Sequence, residues 1–66
     1  MMRVNGKPLE QNPERLLDLL SLQGIAPETK GIAVAINGSV VPRSAWAETP
    51  LSDGDDVEIV KIMQGG

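Results

Sequence analysis

The sequence predicts an α+β domain in which one mixed sheet carries a single main helix across one face. Three observations predict it. Asn5-Gly6 and Asn37-Gly38 each sit between β-favouring residues, and Asn-Gly is the strongest short hairpin signal because a type I′ turn needs positive φ at both central positions. Ile32-Ala33-Val34-Ala35-Ile36 alternates large and small with period 2, the pattern of a strand with one buried face. Between the two hairpins lies one Leu-rich stretch at helical spacing.

Each element follows in order. Met2-Arg3-Val4 is a short strand, and Lys7 to Gln11 is its return. Pro8 lacks an N–H, which places that return at a sheet edge. Asn12-Pro13-Glu14 opens the helix: Asn12 can accept from free first-turn amides, Pro13 suits the first helical position, and Glu14 suits the positive end of the dipole. Leu16, Leu17 and Leu20 form the expected buried stripe, with Leu19 only partly covered. Gly24 is the stop. Ala26 to Gly31 is a polar connection. Ile32, Val34 and Ile36 belong to the face under the helix, and Ser39-Val40-Val41 returns from the second turn until Pro42 ends it.

Arg43 to Glu48 reads as one short helical turn carrying Trp46, the only aromatic residue. Trp46 is most simply a lid on one end of the core, its indole N–H needing a partner; stacking on a ligand is the competing role. Asp53-Gly54-Asp55-Asp56 is a turn before the last strand. Its spacing does not match a calcium loop, and Asp and Gly are ordinary turn formers, so no metal is expected. Val57 to Met63 is the final strand. Val57 and Ile59 should face the helix. Val60 and Ile62 then point to the opposite side, either as scattered exposed apolar residues or, with Met63, as a partner-docking patch.

The chain has 66 residues, no Cys and no His. A chain of this length buries only about 60% of its extended surface, and it must hold together without disulfide or metal. One domain spanning 1–66 is expected. With six basic and nine acidic residues and a net charge of −3, it has no clustered positive charge for nucleic acid. No stretch approaches a signal peptide or the ~20 apolar residues of a membrane span. A cytoplasmic protein, monomeric when free, is the expectation.

The chain closes on Ile62-Met63-Gln64-Gly65-Gly66. Two glycines bury nothing and lose the most freedom on ordering. They are either a frayed end or a tail, residues 64–66, thin enough to enter a narrow channel in another protein. Extended, Met63 to Gly66 reaches roughly 13 Å past the last packed side chain. Nothing nearby is expected to hold Gln64 to Gly66 in the free protein.

The order of hairpin, helix, hairpin, helical turn and strand is that of the β-grasp, or ubiquitin-like, architecture. Residues 33 to 46, Ala-Val-Ala-Ile-Asn-Gly-Ser-Val-Val-Pro-Arg-Ser-Ala-Trp, resemble the signature of the sulfur carriers of thiamine thiazole biosynthesis, the ThiS family. Asp53-Gly54-Asp55 and the terminal Gly65-Gly66 match as well. The Gly-Gly end is shared by many ubiquitin-like proteins. The specific part is the run of Val41, Pro42, Arg43 and Trp46, preceded by the Asn37-Gly38 turn.

The resemblance implies a carrier with no catalytic residue of its own and no bound cofactor. An adenylating enzyme of the ubiquitin-activating type (ThiF) would use ATP and magnesium to convert the Gly66 carboxylate into an acyl adenylate. Sulfur derived from cysteine would displace AMP, and thiazole synthase (ThiG) would take it from the Gly66 thiocarboxylate. Gly65 and Gln64 would lead the terminus into those active sites. The small subunit of molybdopterin synthase, also a sulfur carrier, and a ubiquitin-like protein modifier or binding module are the alternatives.

Overall fold

A computed structural model describes residues 1–62 of the chain. Five strands form one sheet: β1 (Arg3–Val4), β2 (Lys7–Pro8), β3 (Ile32–Ile36), β4 (Ser39–Val41) and β5 (Asp56–Lys61). Helix α1 (Leu16–Leu22) follows the first hairpin, and a 3₁₀ helix (Arg43–Glu48) follows the second. The strand order is β2-β1-β5-β3-β4. β5 pairs parallel with β1 and antiparallel with β3, while both hairpins are antiparallel, so the sheet is mixed.

Both hairpins turn as their sequence requires. Asn5 and Gly6 have φ of 53° and 81°, and Asn37 and Gly38 have 51° and 85°, the positive pair of a type I′ turn. The first return is shorter than expected. Pairing ends at Pro8, although the Leu9 amide still donates to the Met2 carbonyl at 2.8 Å. Leu9 then packs against the core instead of continuing the ribbon. β2 lies at the sheet edge, the position open to a residue without an N–H.

The helix also begins later than expected. Asn12 and Pro13 lie outside it; its N-cap is Arg15, which makes no side-chain cap bond. The cause is tertiary. The Leu16 amide donates to Thr49 O at 3.0 Å, the Leu51 amide donates to Glu14 O at 2.8 Å, and Arg15 bridges Pro50. A strand-like clasp holds Arg15 in extended form and supplies the partner that a cap would otherwise give. The far end follows local rules: Ile25 N–H donates to Leu20 O and Gly24 N–H to Ser21 O, the two bonds of a Schellman stop.

The core is Met2, Val4, Leu16, Leu19, Leu20, Val34, Trp46 and Val57. Leu19 is fully buried, whereas Leu17 is only partly covered. This reverses their expected ranks. The expected stripe considered the sheet alone, but α1 also packs against the 3₁₀ helix, and that second neighbour covers a wider arc of its surface. Ile32, Ile36 and Ile59 pack on the core from the sheet, as their period predicts.

Candidate functional site

Among the described residues no group of His, Cys, Asp or Glu could hold a metal ion. The acidic turn is occupied with structure. The Asp55 carboxylate accepts from Ser52 N at 2.8 Å and from Asn37 Nδ2 at 3.0 Å. Asp53 faces the N-terminal ammonium at 2.9 Å, and that hydrogen bond and charge hold its carboxyl below the ordinary carboxylate value. A cleft of about 340 Å³ between the end of α1 and β5 holds a single ionisable residue, Lys61. No described helix is long and apolar enough to cross a membrane.

The residues of the Val-Pro-Arg-x-x-Trp run meet in space. Pro42, extended at φ −63°, caps the 3₁₀ helix. Trp46 is 2% exposed and its Nε1 donates to Val41 O at 3.0 Å. The indole is thus a core lid with a satisfied N–H, leaving no free ring face to the core side for a ligand. Arg43 lies over the ring, its Cζ 4.4 Å from the centroid. Its Nη1 donates to Pro27 O at 2.6 Å, and Nη2 donates to Thr29 O. Asn37 does more than turn the chain. Its Oδ1 accepts from Asp56 N at 3.0 Å, tying the second hairpin to the start of β5 beside Gly38.

The face of the sheet away from α1 is apolar at one end. Val34 is buried under the helix, so Ala33 and Ala35 point the other way. Ala33 is opposite Val60, and Ala35 lies between Glu58 and Val40. The alanines floor a shallow trough walled by Val40 and Val60, which are 74% and 53% exposed. Ile62, 52% exposed, continues it beyond β5. Val60 and Ile62 therefore stand where the sequence places them. Val40 and the two alanines are additional members; the signal available was the period of β3, read for its buried face only.

At Ile62 the chain lies beside Gly31. Ile62 N–H donates to Gly31 O at 2.6 Å, one step past the last strand pair, Ile32 with Lys61. Met63, Gln64, Gly65 and Gly66, which carry the remaining expected site and the expected mobility of the tail, lie outside the described residues.

Known proteins resemble this arrangement from end to end. The model of the ThiS family matches residues 2–66. The chain is 38% identical over 66 residues to the sulfur carrier protein ThiS of Thermus thermophilus, covering all of both. It is 35% identical to a crystal structure of the thiamine biosynthesis protein (ThiS) from Geobacter metallireducens, with a TM-score of 0.81 over 98% of this chain and 97% of that one. It is also 33% identical over 64 residues to a thiazole synthase of Paramagnetospirillum magneticum, where 96% of this chain corresponds to 19% of that protein.

Proposed function

The chain belongs to the ThiS family, the sulfur carriers of thiamine biosynthesis, and from that premise we propose that its cargo is bound at the Gly66 carboxylate as a thiocarboxylate. A carboxylate is a poor electrophile: its charge repels nucleophiles and its leaving group would be an oxide. Adenylation removes both obstacles. The Gly66 carboxylate becomes an acyl adenylate with release of pyrophosphate from ATP, and a sulfur nucleophile then expels AMP, replacing one C–O bond with a C–S bond. ATP and magnesium belong to the activating enzyme, of the ThiF type. The sulfur passes to a thiazole synthase of the ThiG type, and the carboxylate returns.

The observation that carries this reading is the end-to-end correspondence with a ThiS sulfur carrier of the same 66-residue span, joined to a sequence with no Cys or His and a Gly-Gly end. The chemistry uses a main-chain group, so the fold need contribute no acid, base or nucleophile. Gly65 keeps side-chain bulk away from the reacting carbonyl. Correspondence with part of a thiazole synthase supports that enzyme class as the acceptor. The apolar trough, together with Ile62 and Met63, is the docking surface offered to both partners.

Intact mass tests the reading. Incubation with the activating enzyme, ATP, magnesium and a sulfur source is expected to exchange one oxygen for sulfur in the full chain. A chain lacking Gly66 is expected to keep its mass. Sulfur loading of that shortened chain would overturn the reading, and capture of a large molybdopterin synthase subunit instead of a thiazole synthase would redirect it.

A further inference from the structure

Arg43 sits about a third of the chain in sequence from the terminus, yet it holds the neighbours of the tail's root. Its guanidinium fastens two carbonyls of one loop, Pro27 O and Thr29 O, and rests on the ring of Trp46. Trp46 is in turn fixed to Val41 O and buried in the core. The loop so held is otherwise pinned within itself by one backbone bond, Thr29 N to Ala26 O at 3.0 Å. It ends at Gly31, whose carbonyl accepts the Ile62 amide. Gly31 has φ +76°, and a Cβ there would come 3.1 Å from Ile62 O. Backbone therefore meets backbone closely at this point: a Cβ would require the Ile62 carbonyl to give by a few tenths of an ångström, and the positive φ would strain any other residue.

We propose that Arg43 is a positioning residue for the terminal carboxylate: through the loop of residues 27–30 and Gly31 it sets where and in which direction the chain leaves the sheet after Ile62. The proposal rests on the reading of Gly66 as the reactive group. A five-donor planar guanidinium suits the task because it can hold two carbonyls at once while stacking on an indole. Docking through the trough places the domain on a partner. The root then decides whether the terminus arrives in line with the reacting phosphate or sulfur, and a displacement of about 1 Å there can cost up to ~10²-fold in rate.

The test measures carrier-dependent pyrophosphate release by the activating enzyme, with kcat and KM separated. Arg43→Gln is expected to lower kcat on the order of tenfold while KM stays within about twofold, the mark of an interaction expressed after docking. Gly31→Ala, which leaves the guanidinium and Trp46 untouched, should give the same split. Hydrogen exchange of the Ile62 amide should quicken in both.

Inserting two glycines between Ile62 and Met63 uncouples root from tail, so Arg43→Gln should then lower kcat no further. An unchanged kcat, a rise confined to KM, or full additivity with the insertion would overturn the proposal. Should Arg43→Gln fail to fold, seen in its Trp46 fluorescence, Gly31→Ala decides alone. Deletion of Gly66 separates the two ideas: if it abolishes pyrophosphate release while both variants behave as the parent, only the role of Arg43 falls.

Discussion

The two faces of the sheet are made by the same strands and do opposite things. Under α1, Val4, Val34 and Val57 are buried and meet Leu16, Leu19 and Leu20. On the other side, one residue along each strand, Ala33, Ala35 and Val60 join Val40 in a trough that no described residue covers. A period of two separates the residues that hold the fold from the residues left exposed on the other face. Apart from Glu58 beside Ala35, the apolar end of the open face is built from small and β-branched residues. These satisfy strand propensity without long flexible side chains whose ordering would oppose association.

The contrast makes measurable demands. The largest effect should come from the covered face. Leu20→Ala leaves a cavity in the core and should cost about 2–5 kcal/mol, against about 3–5 kcal/mol for the whole domain. Chemical denaturation should find this variant largely unfolded without denaturant. On the open face, Val60→Lys should change stability by less than about 1 kcal/mol. It should nevertheless weaken binding to the activating enzyme by at least about tenfold, or ~1.4 kcal/mol, measured by calorimetry. If Val60→Lys unfolds the domain and spares binding, the division between the faces is wrong.

Smaller effects refine the picture at its edges. Asn37→Ala loses a residue suited to positive φ and the bonds to Asp56 N and Asp55. It should lower stability by about 1–2 kcal/mol in the same denaturation assay, without altering partner affinity. The smallest effect belongs to Asp53. Its carboxyl is held below the ordinary value by the N-terminal ammonium. The folded value is the depressed one, so the contribution is present above the ordinary carboxylate value and is lost as pH falls through the folded one. Both groups are exposed, so Asp53→Asn should flatten the acid limb of the stability curve only slightly, and moderate salt should mask the difference.

What the sequence discloses in advance is what neighbouring residues decide among themselves. Asn5-Gly6 and Asn37-Gly38 specify their turns by local φ, and the alternation from Ile32 to Ile36 specifies its own buried face. Arg43 to Glu48 specifies a helical turn between two prolines. Each is settled within about six residues. The start of the helix is not, because Arg15 is drawn out by Pro50, and the burial of Leu19 is not, because α1 packs on the 3₁₀ helix as well as on the sheet. The site divides the same way. Val60 and Ile62 follow from strand period. The bond of Asn5 Oδ1 with Ile59 N, the grip of Arg43 on Pro27 and Thr29, and the meeting of Gly31 with Ile62 join distant parts of the chain. No pattern within either partner announces them.

The place of β5 has a consequence for how the protein comes into being. Among the described residues it is the last strand and a central one in the sheet, and it alone joins β1 to β3. Until residues 56–61 emerge during synthesis, a nascent chain holds only two separate hairpins, each marginal in water by itself. Closure must then bring together partners more than fifty residues apart, Arg3 with Asp56 and Val4 with Val57, a long-range step that slows folding. Fragments cut short of β5 would expose two unpaired strand edges, which makes them substrates for aggregation and for quality control, not a reserve of half-built carriers.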